Sequence, residues 1–202
     1  MAERINDARG LAHLDVMQAT ADVFLRMDEP EMSARIDRGI ALAQGHPHFI
    51  TFALGGRAWA RLMLGALPAA RADFNEALAR ALDMGARWLW ADALAGRGAV
   101  DVIMGNFAEA REAVQTLLLS DVRFVFPVFE ALATEVIAAE AFLTGRYRDG
   151  LAGYDRAAAL YRRADLDRAW GFLVSLQQFE ALLVLADVDG PDTVARWWPR
   201  VK

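Results

Sequence analysis

Few residues in this chain have the type and spacing that chemistry requires. His46 and His48 flank Pro47, an H-x-H step that could hold the edge of a metal ion. Two ligands do not close a zinc site, and no cysteine or H-E-x-x-H segment supplies the others. The third histidine, His13, stands alone in an apolar-patterned stretch. Ser33, Ser120 and Ser175 lie outside any G-x-S-x-G elbow. Gly55-Gly56-Arg57 and Gly96-Arg97-Gly98 share only glycine with phosphate loops. Neither follows a strand or ends in the lysine that a P-loop needs, so both read as sites of close helix packing. Asp92 and Glu135 could face a common groove, as a general acid and base would. In a helical array such carboxylates more often serve as polar contacts or solvated side chains. The expectation is an absence of catalysis, metal and cofactor.

Composition narrows the setting. The chain has 202 residues, a net charge of −5 and 55% hydrophobic residues, dominated by Ala and Leu. Those residues favour helix. The acidic balance speaks against a nucleic-acid surface, which shows as a basic patch. Lys202 is the only lysine, a bias read as that of a GC-rich bacterial genome. The lack of cysteine excludes disulfides and thiolate chemistry and fits the cytoplasm. Glu3 and Asp7 interrupt the N-terminus, where a signal peptide would carry an apolar run. Arg57 and Arg61 interrupt the apolar stretch 49–70, which speaks against a membrane span.

The elements that position these residues are set by a repeat. Gly65-Ala66-Leu67, Gly105-Asn106-Phe107 and Gly145-Arg146-Tyr147 recur at a period of 40 residues. Around each glycine the same size pattern returns. Small residues stand twelve before (Ala53, Ala93, Ala133), seven before (Ala58, Gly98, Ala138) and five after (Ala70, Ala110, Gly150). A larger one follows at nine (Phe74, Val114, Tyr154), then Ala77, Leu117 and Ala157 at twelve. Small residues let two helices approach, and the larger one fills the space between successive pairs. The glycine supplies a left-handed helix end. The pattern predicts an all-α chain of antiparallel helix pairs at approximately 9–44, 49–83, 87–120, 127–163 and 167–198, within one domain over 1–202.

These residues resemble a tetratricopeptide repeat. Ala58, Leu67, Ala70, Phe74 and Ala77 match its small–aromatic–alanine scheme, with an aliphatic residue at the turn. Gly98, Phe107 and Ala110 follow it in the third pair, and Ala138, Tyr147, Tyr154 and Ala157 in the fourth. Ala34 and Ala41 fit the first pair, where Arg38 replaces an aromatic. The period exceeds the family's usual 34 or so. In that respect the chain is similar to the helical sensor arrays of large bacterial LuxR-type ATP-dependent regulators. The resemblance implies a right-handed α-solenoid, a scaffold whose first helices line a concave groove. The groove positions it implies are Phe52, Trp59, Leu62, Asp92, Val102, Leu132, Glu135, Phe142 and Gln177.

A mostly apolar groove suits a peptide or helix segment of a partner protein. The rival expectation is an array that senses a small molecule and regulates a larger signalling or transcription protein. Aromatics also cluster where first helices begin: His48-Phe49-Phe52, Trp88-Trp90, Phe124-Phe126-Phe129 and Trp170-Phe172. They read either as packing between long repeats or as a stacked lining for a ligand. Trp197 and Trp198 form an apolar end that calls for cover, by the last helix or by a second copy in a homodimer.

Overall fold

The structure, a computed structural model, describes residues 29–42, 45–166, 172–190 and 192. Among them all regular structure is helical. The helices are α1 (Glu29–Leu42), α2 (Pro47–Met63), α3 (Leu67–Asp83), α4 (Arg87–Ile103) and α5 (Phe107–Leu119). The single turn α6 (Val122–Val125) follows, then α7 (Val128–Leu143), α8 (Tyr147–Arg163) and α9 (Phe172–Asp189). The first helix of the pair expected at 9–44, His13, Trp170 and the terminal pair Trp197-Trp198 lie outside the described residues.

The turns repeat more often than the sequence motif does. Gly65, Gly85, Gly105 and Gly145 all have positive φ, between 62° and 82°. At each, the glycine N–H bonds back three residues and the next N–H bonds back five. Ala66 N–H donates to Arg61 O, Ala86 to Ala81 O, Asn106 to Asp101 O and Arg146 to Ala141 O, each at 2.8–2.9 Å. This is a Schellman end, in which the left-handed residue lets two otherwise unpaired carbonyls be satisfied. Asp165 closes α8 the same way at φ 57°, with Leu166 N–H on Tyr161 O at 2.9 Å. A short polar side chain is among the few that tolerate this region.

The turns therefore recur every twenty residues, both within and between helix pairs. The slot near 125 is the exception. No glycine stands there, and α5 ends early at Leu119. Ser120 is extended at ψ 155° and its hydroxyl donates to Leu117 O at 2.6 Å. Pro127 then opens α7.

The chain divides into two compact units, 1–100 and 101–202, the boundary falling inside α4. In the first, Ile36 of α1 meets Ala53 and Ala60 of α2. Beside it, Phe74 of α3 is fully buried among Ala58, Ala70, Ala77, Ala93 and Val100. Gly96 makes this possible: a methyl there would come within 2.2 Å of the Phe74 ring. In the second unit α7 and α8 approach through small residues. A methyl on Gly153 would lie 2.6 Å from Ala138 Cβ, and one on Gly150 2.9 Å from Phe142 Cβ.

All the small and large positions of the 40-residue frame, from Ala53 to Ala157, are buried. The first pair departs from it. Ala34 and Ala41 are exposed, and Ile36 with Gly39 turns inward instead. The frame does not hold in α1, where Arg38 already broke the pattern.

Candidate functional site

An open cleft lies in the first unit, where α2 and α4 begin. Pro47 sits in the first turn of α2, where its missing N–H costs little. His46 O accepts from Phe49 N–H at 3.0 Å and Ile50 N–H at 3.2 Å, and the His46 ring meets Phe49 edge-on at 6.4 Å. Phe49 and Phe52, three apart, then share one side of α2. The Gly85 turn delivers Arg87, Trp88 and Leu89 to the start of α4. The Phe52 and Trp88 rings stack at 6.2 Å with their planes 24° apart.

Together His48, Phe49, Phe52, Ala86, Arg87, Trp88 and Leu89 line a cleft of about 400 Å³. Trp88 remains 38% exposed, and His48 and Arg87 stand at the solvent edge. Neither helix carries an acidic residue in its first turn.

The nine groove positions meet different fates. Phe52 is half-buried and lines this cleft. Trp59 is also half-buried, but its indole N–H donates to Asp92 Oδ1 at 3.1 Å and its ring meets Phe74 edge-on at 5.3 Å. Leu62 packs on the Phe74 cluster. Val102 and Leu132 are 1% and 6% exposed. Both are buried, so neither faces an open groove. Phe142 meets Tyr147 edge-on at 5.3 Å across the Gly145 turn. Glu135 accepts from Tyr161 Oη at 3.0 Å, and Gln177 also bonds its carboxyl. The structure thus joins Trp59 to Asp92, and Glu135 to Tyr161 and Gln177.

Both carboxyls are displaced toward the neutral form. Burial pushes Asp92 up to about 6, against the opposing pull of the Trp59 hydrogen bond. Burial likewise raises Glu135, opposed by Tyr161 and Gln177. Burial, with Glu135 close by, raises the Tyr154 and Tyr161 hydroxyls as well. Shifted carboxyls often mark active sites, but neither of these lines the cleft. Each shift comes from burial, and each carboxyl already has its own hydrogen-bond partner within the helix packing.

An ion cluster binds the helices of the first unit. Arg57 donates through Nε and Nη2 to both oxygens of Asp73, each at 2.9 Å, and Arg61 Nη1 reaches Asp73 Oδ2 at 2.7 Å. Arg57 also pairs with Asp37. Its pKa is raised, first by the Asp73 hydrogen bond. The Arg57–Arg61 spacing is legible on one helix face; the acceptor on the next helix is not.

Among the described residues no group of three His, Cys, Asp or Glu side chains could hold a metal, and no helix is long and apolar enough to cross a membrane. No protein-family model matches the chain, and no curated protein matches it.

Proposed function

We propose that the chain is a non-enzymatic interaction module that seats an apolar side chain of a partner protein in the α2–α4 cleft. The supporting observation is the Phe52–Trp88 stack, which floors an apolar cleft that opens to solvent instead of closing into core. Aromatic side chains in desolvated pockets dominate the affinity of protein interfaces. An open cleft of this size leaves much of a free small molecule wet, whereas ligand sites enclose most of their ligand. A side chain carried on a larger partner brings its own cover.

In this reading the helix pairs form a right-handed solenoid of tetratricopeptide type, working as a scaffold in a bacterial cytoplasm. The contact is shifted from the Trp59 and Phe142 positions toward Phe52 and Trp88, because Trp59 and Phe142 are already engaged between helices. The volume itself favours a second reading, small-molecule sensing, since about 400 Å³ falls within the range of ligand pockets.

The test is site-specific photocrosslinking from position 88 in the source cell. A discrete protein adduct is expected. Purified, that protein should bind the chain and lose about thirtyfold in affinity on Phe52→Ala, with the melting midpoint kept within a few degrees. An adduct of small-molecule mass would favour sensing. The absence of any adduct, or affinity unchanged by Phe52→Ala, overturns the cleft as the contact.

A further inference from the structure

Asp92 stands where a purely structural role would not need a carboxylate. On α4 it follows Trp88 by four residues, about 6 Å along the helix axis. On α2, Gly55 follows Phe52 by three. The seam that opens at the Phe52–Trp88 stack thus continues to Asp92. There Asp92 Oδ1 accepts from the Trp59 indole at 3.1 Å, and Oδ2 lies against Gly55, where an added methyl would come within 3.1 Å. A glycine inside a helix is destabilising relative to alanine; this one leaves room for the carboxyl.

Oδ2 is the oxygen that the helix packing does not use. Among the described residues Trp59 is the hydrogen-bond partner of Asp92, and it takes Oδ1. Oδ2 is not one of the sealed buried atoms, and the residue as a whole is half-buried. Protein atoms crowd the carboxyl enough to raise it to about 6, so at neutral pH it is still mostly ionised. Crowded charges are ordinarily paired, but burial and the Trp59 indole are what act on this one. An asparagine would hold the indole without the cost of ionisation. What the aspartate adds is a negative charge with one oxygen left to receive a donor.

We propose that Asp92 Oδ2 receives the ammonium or guanidinium group of a lysine or arginine in the partner segment whose apolar side chain seats on the Phe52–Trp88 stack. This rests on the cleft being the contact and adds the chemistry of the residue beside the one that fills it. The alkyl stem of a lysine or arginine covers apolar surface while its head group stays polar, so it can follow the seam for a helical turn and end at the carboxylate. Arg87, at the solvent edge of the cleft, is exposed and already engaged elsewhere, so it does not pair with Asp92. The net charge of −5 has the sign that draws a basic segment in.

Three capped peptides test the proposal on the full chain: acetyl-Lys-Phe-Lys-amide, acetyl-Gln-Phe-Gln-amide and acetyl-Glu-Phe-Glu-amide. Each is titrated while two indole N–H resonances, assigned through Trp88→Phe and Trp59→Phe, are followed by NMR. All three should move the resonance of position 88, which reports the stack. The lysine peptide alone should also move that of position 59, whose N–H shares the carboxylate, and it should bind about fivefold or more tighter than the glutamine peptide. In Asp92→Asn the lysine peptide should fall to the affinity of the glutamine peptide, whose own affinity stays in place. That variant keeps an acceptor for the indole and carries no ionisation cost, so such a loss is not a loss of fold. Equal binding of the lysine and glutamine peptides, or a preference for the glutamate peptide, overturns the proposal but leaves the cleft standing. A lysine advantage that survives Asp92→Asn also overturns it, since the cation then sits elsewhere. No perturbation of position 88 by any peptide overturns the cleft reading as well.

Discussion

Asp92 shows how one buried group makes stability depend on pH. Its carboxyl is lifted from 3.8 to about 6 by burial. Below the lower value both folded and unfolded chains are protonated there. Between the two, the folded chain keeps a proton that the unfolded chain has released, so stability falls as pH rises through roughly 4 to 6. Above 6 the loss is complete and the contribution is flat. Asn keeps an acceptor for the Trp59 indole but cannot ionise. Asp92→Asn should therefore gain stability over the parent at pH 7.5 and much less at pH 4.5, as read from urea midpoints. Parallel midpoints at both values would show that Asp92 is not displaced. Glu135 is shifted in the same direction, which is why the difference between parent and variant, and not the parent's own profile, is the measure.

Gly96 is a second residue whose role was only half legible. Gly96-Arg97-Gly98 reads in the sequence as close packing, and at Gly96 the structure shows what is packed: the Phe74 ring. Gly96→Ala gains up to about 1 kcal/mol of helix propensity. Against this, a methyl at 2.2 Å from a fully buried ring forces the ring or helix to move, and overpacking of this kind costs about 1–3 kcal/mol. The variant should melt lower, and Phe74→Leu should partly rescue it by vacating the space. A rise in melting midpoint would mean that the ring has room to turn aside.

At the scale of elements, the size pattern recurs at 40 residues in the sequence, and the helix-ending turns recur at twenty in the structure. The turns at 65, 105 and 145 were found because each is followed by Leu67, Phe107 or Tyr147, which packs at the start of the next helix. Gly85 makes the same turn outside that 40-residue frame, ahead of a helix start at 87 that the Trp88-Trp90 cluster marks. Asp165 makes it without glycine at all. Hydrophobic pattern signals what a turn buries; the backbone conformation it shares with other turns leaves no such mark. The candidate site divides similarly. The clusters His48-Phe49-Phe52 and Trp88-Trp90 stood out as an aromatic edge, whereas the stacking of Phe52 on Trp88 depends on the twist between α2 and α4. Val102 and Leu132 were placed on an open face because a helix's 3.6-residue period does not say which neighbour covers it.

The ion cluster carries an element-scale prediction. Asp73 is 5% exposed and receives both Arg57 and Arg61 of α2. Removing it leaves two guanidinium groups short of their buried acceptor, a loss that runs to about 3–5 kcal/mol for buried pairs. Asp73→Ala should therefore destabilise strongly. The triple change Arg57→Met, Arg61→Met, Asp73→Leu should recover much of the loss, because no buried charge is left unpaired; Asp37, which loses Arg57, is exposed. Equal destabilisation by both would show that the cluster stabilises through its hydrogen bonds and shape, beyond the avoidance of a stranded charge.

For the molecule as a whole, repetition has a consequence for how damage spreads. Chains built of stacked helix pairs are held by contacts between neighbours in sequence, so their stability behaves as a sum of local contributions and neighbour interfaces. Each unit here has its own buried centre: Phe74 on Gly96 in residues 1–100, and Ala138 against Gly153 in residues 101–202. A substitution at one centre should be felt first by the helices that meet there. In Gly153→Ala a methyl lies 2.6 Å from Ala138 Cβ, and its neighbour Ala138 Cα lies at 3.1 Å from the same point, so the backbone of α7 must yield. Hydrogen exchange followed by mass spectrometry in mild denaturant should show α7 and α8 losing protection most, with smaller losses along the chain toward α2 and α3. Gly96→Ala should give the reverse order. If either variant lowers protection uniformly from α2 to α9, the described helices unfold as one cooperative body, and the local, additive behaviour expected of a repeat does not hold for this chain.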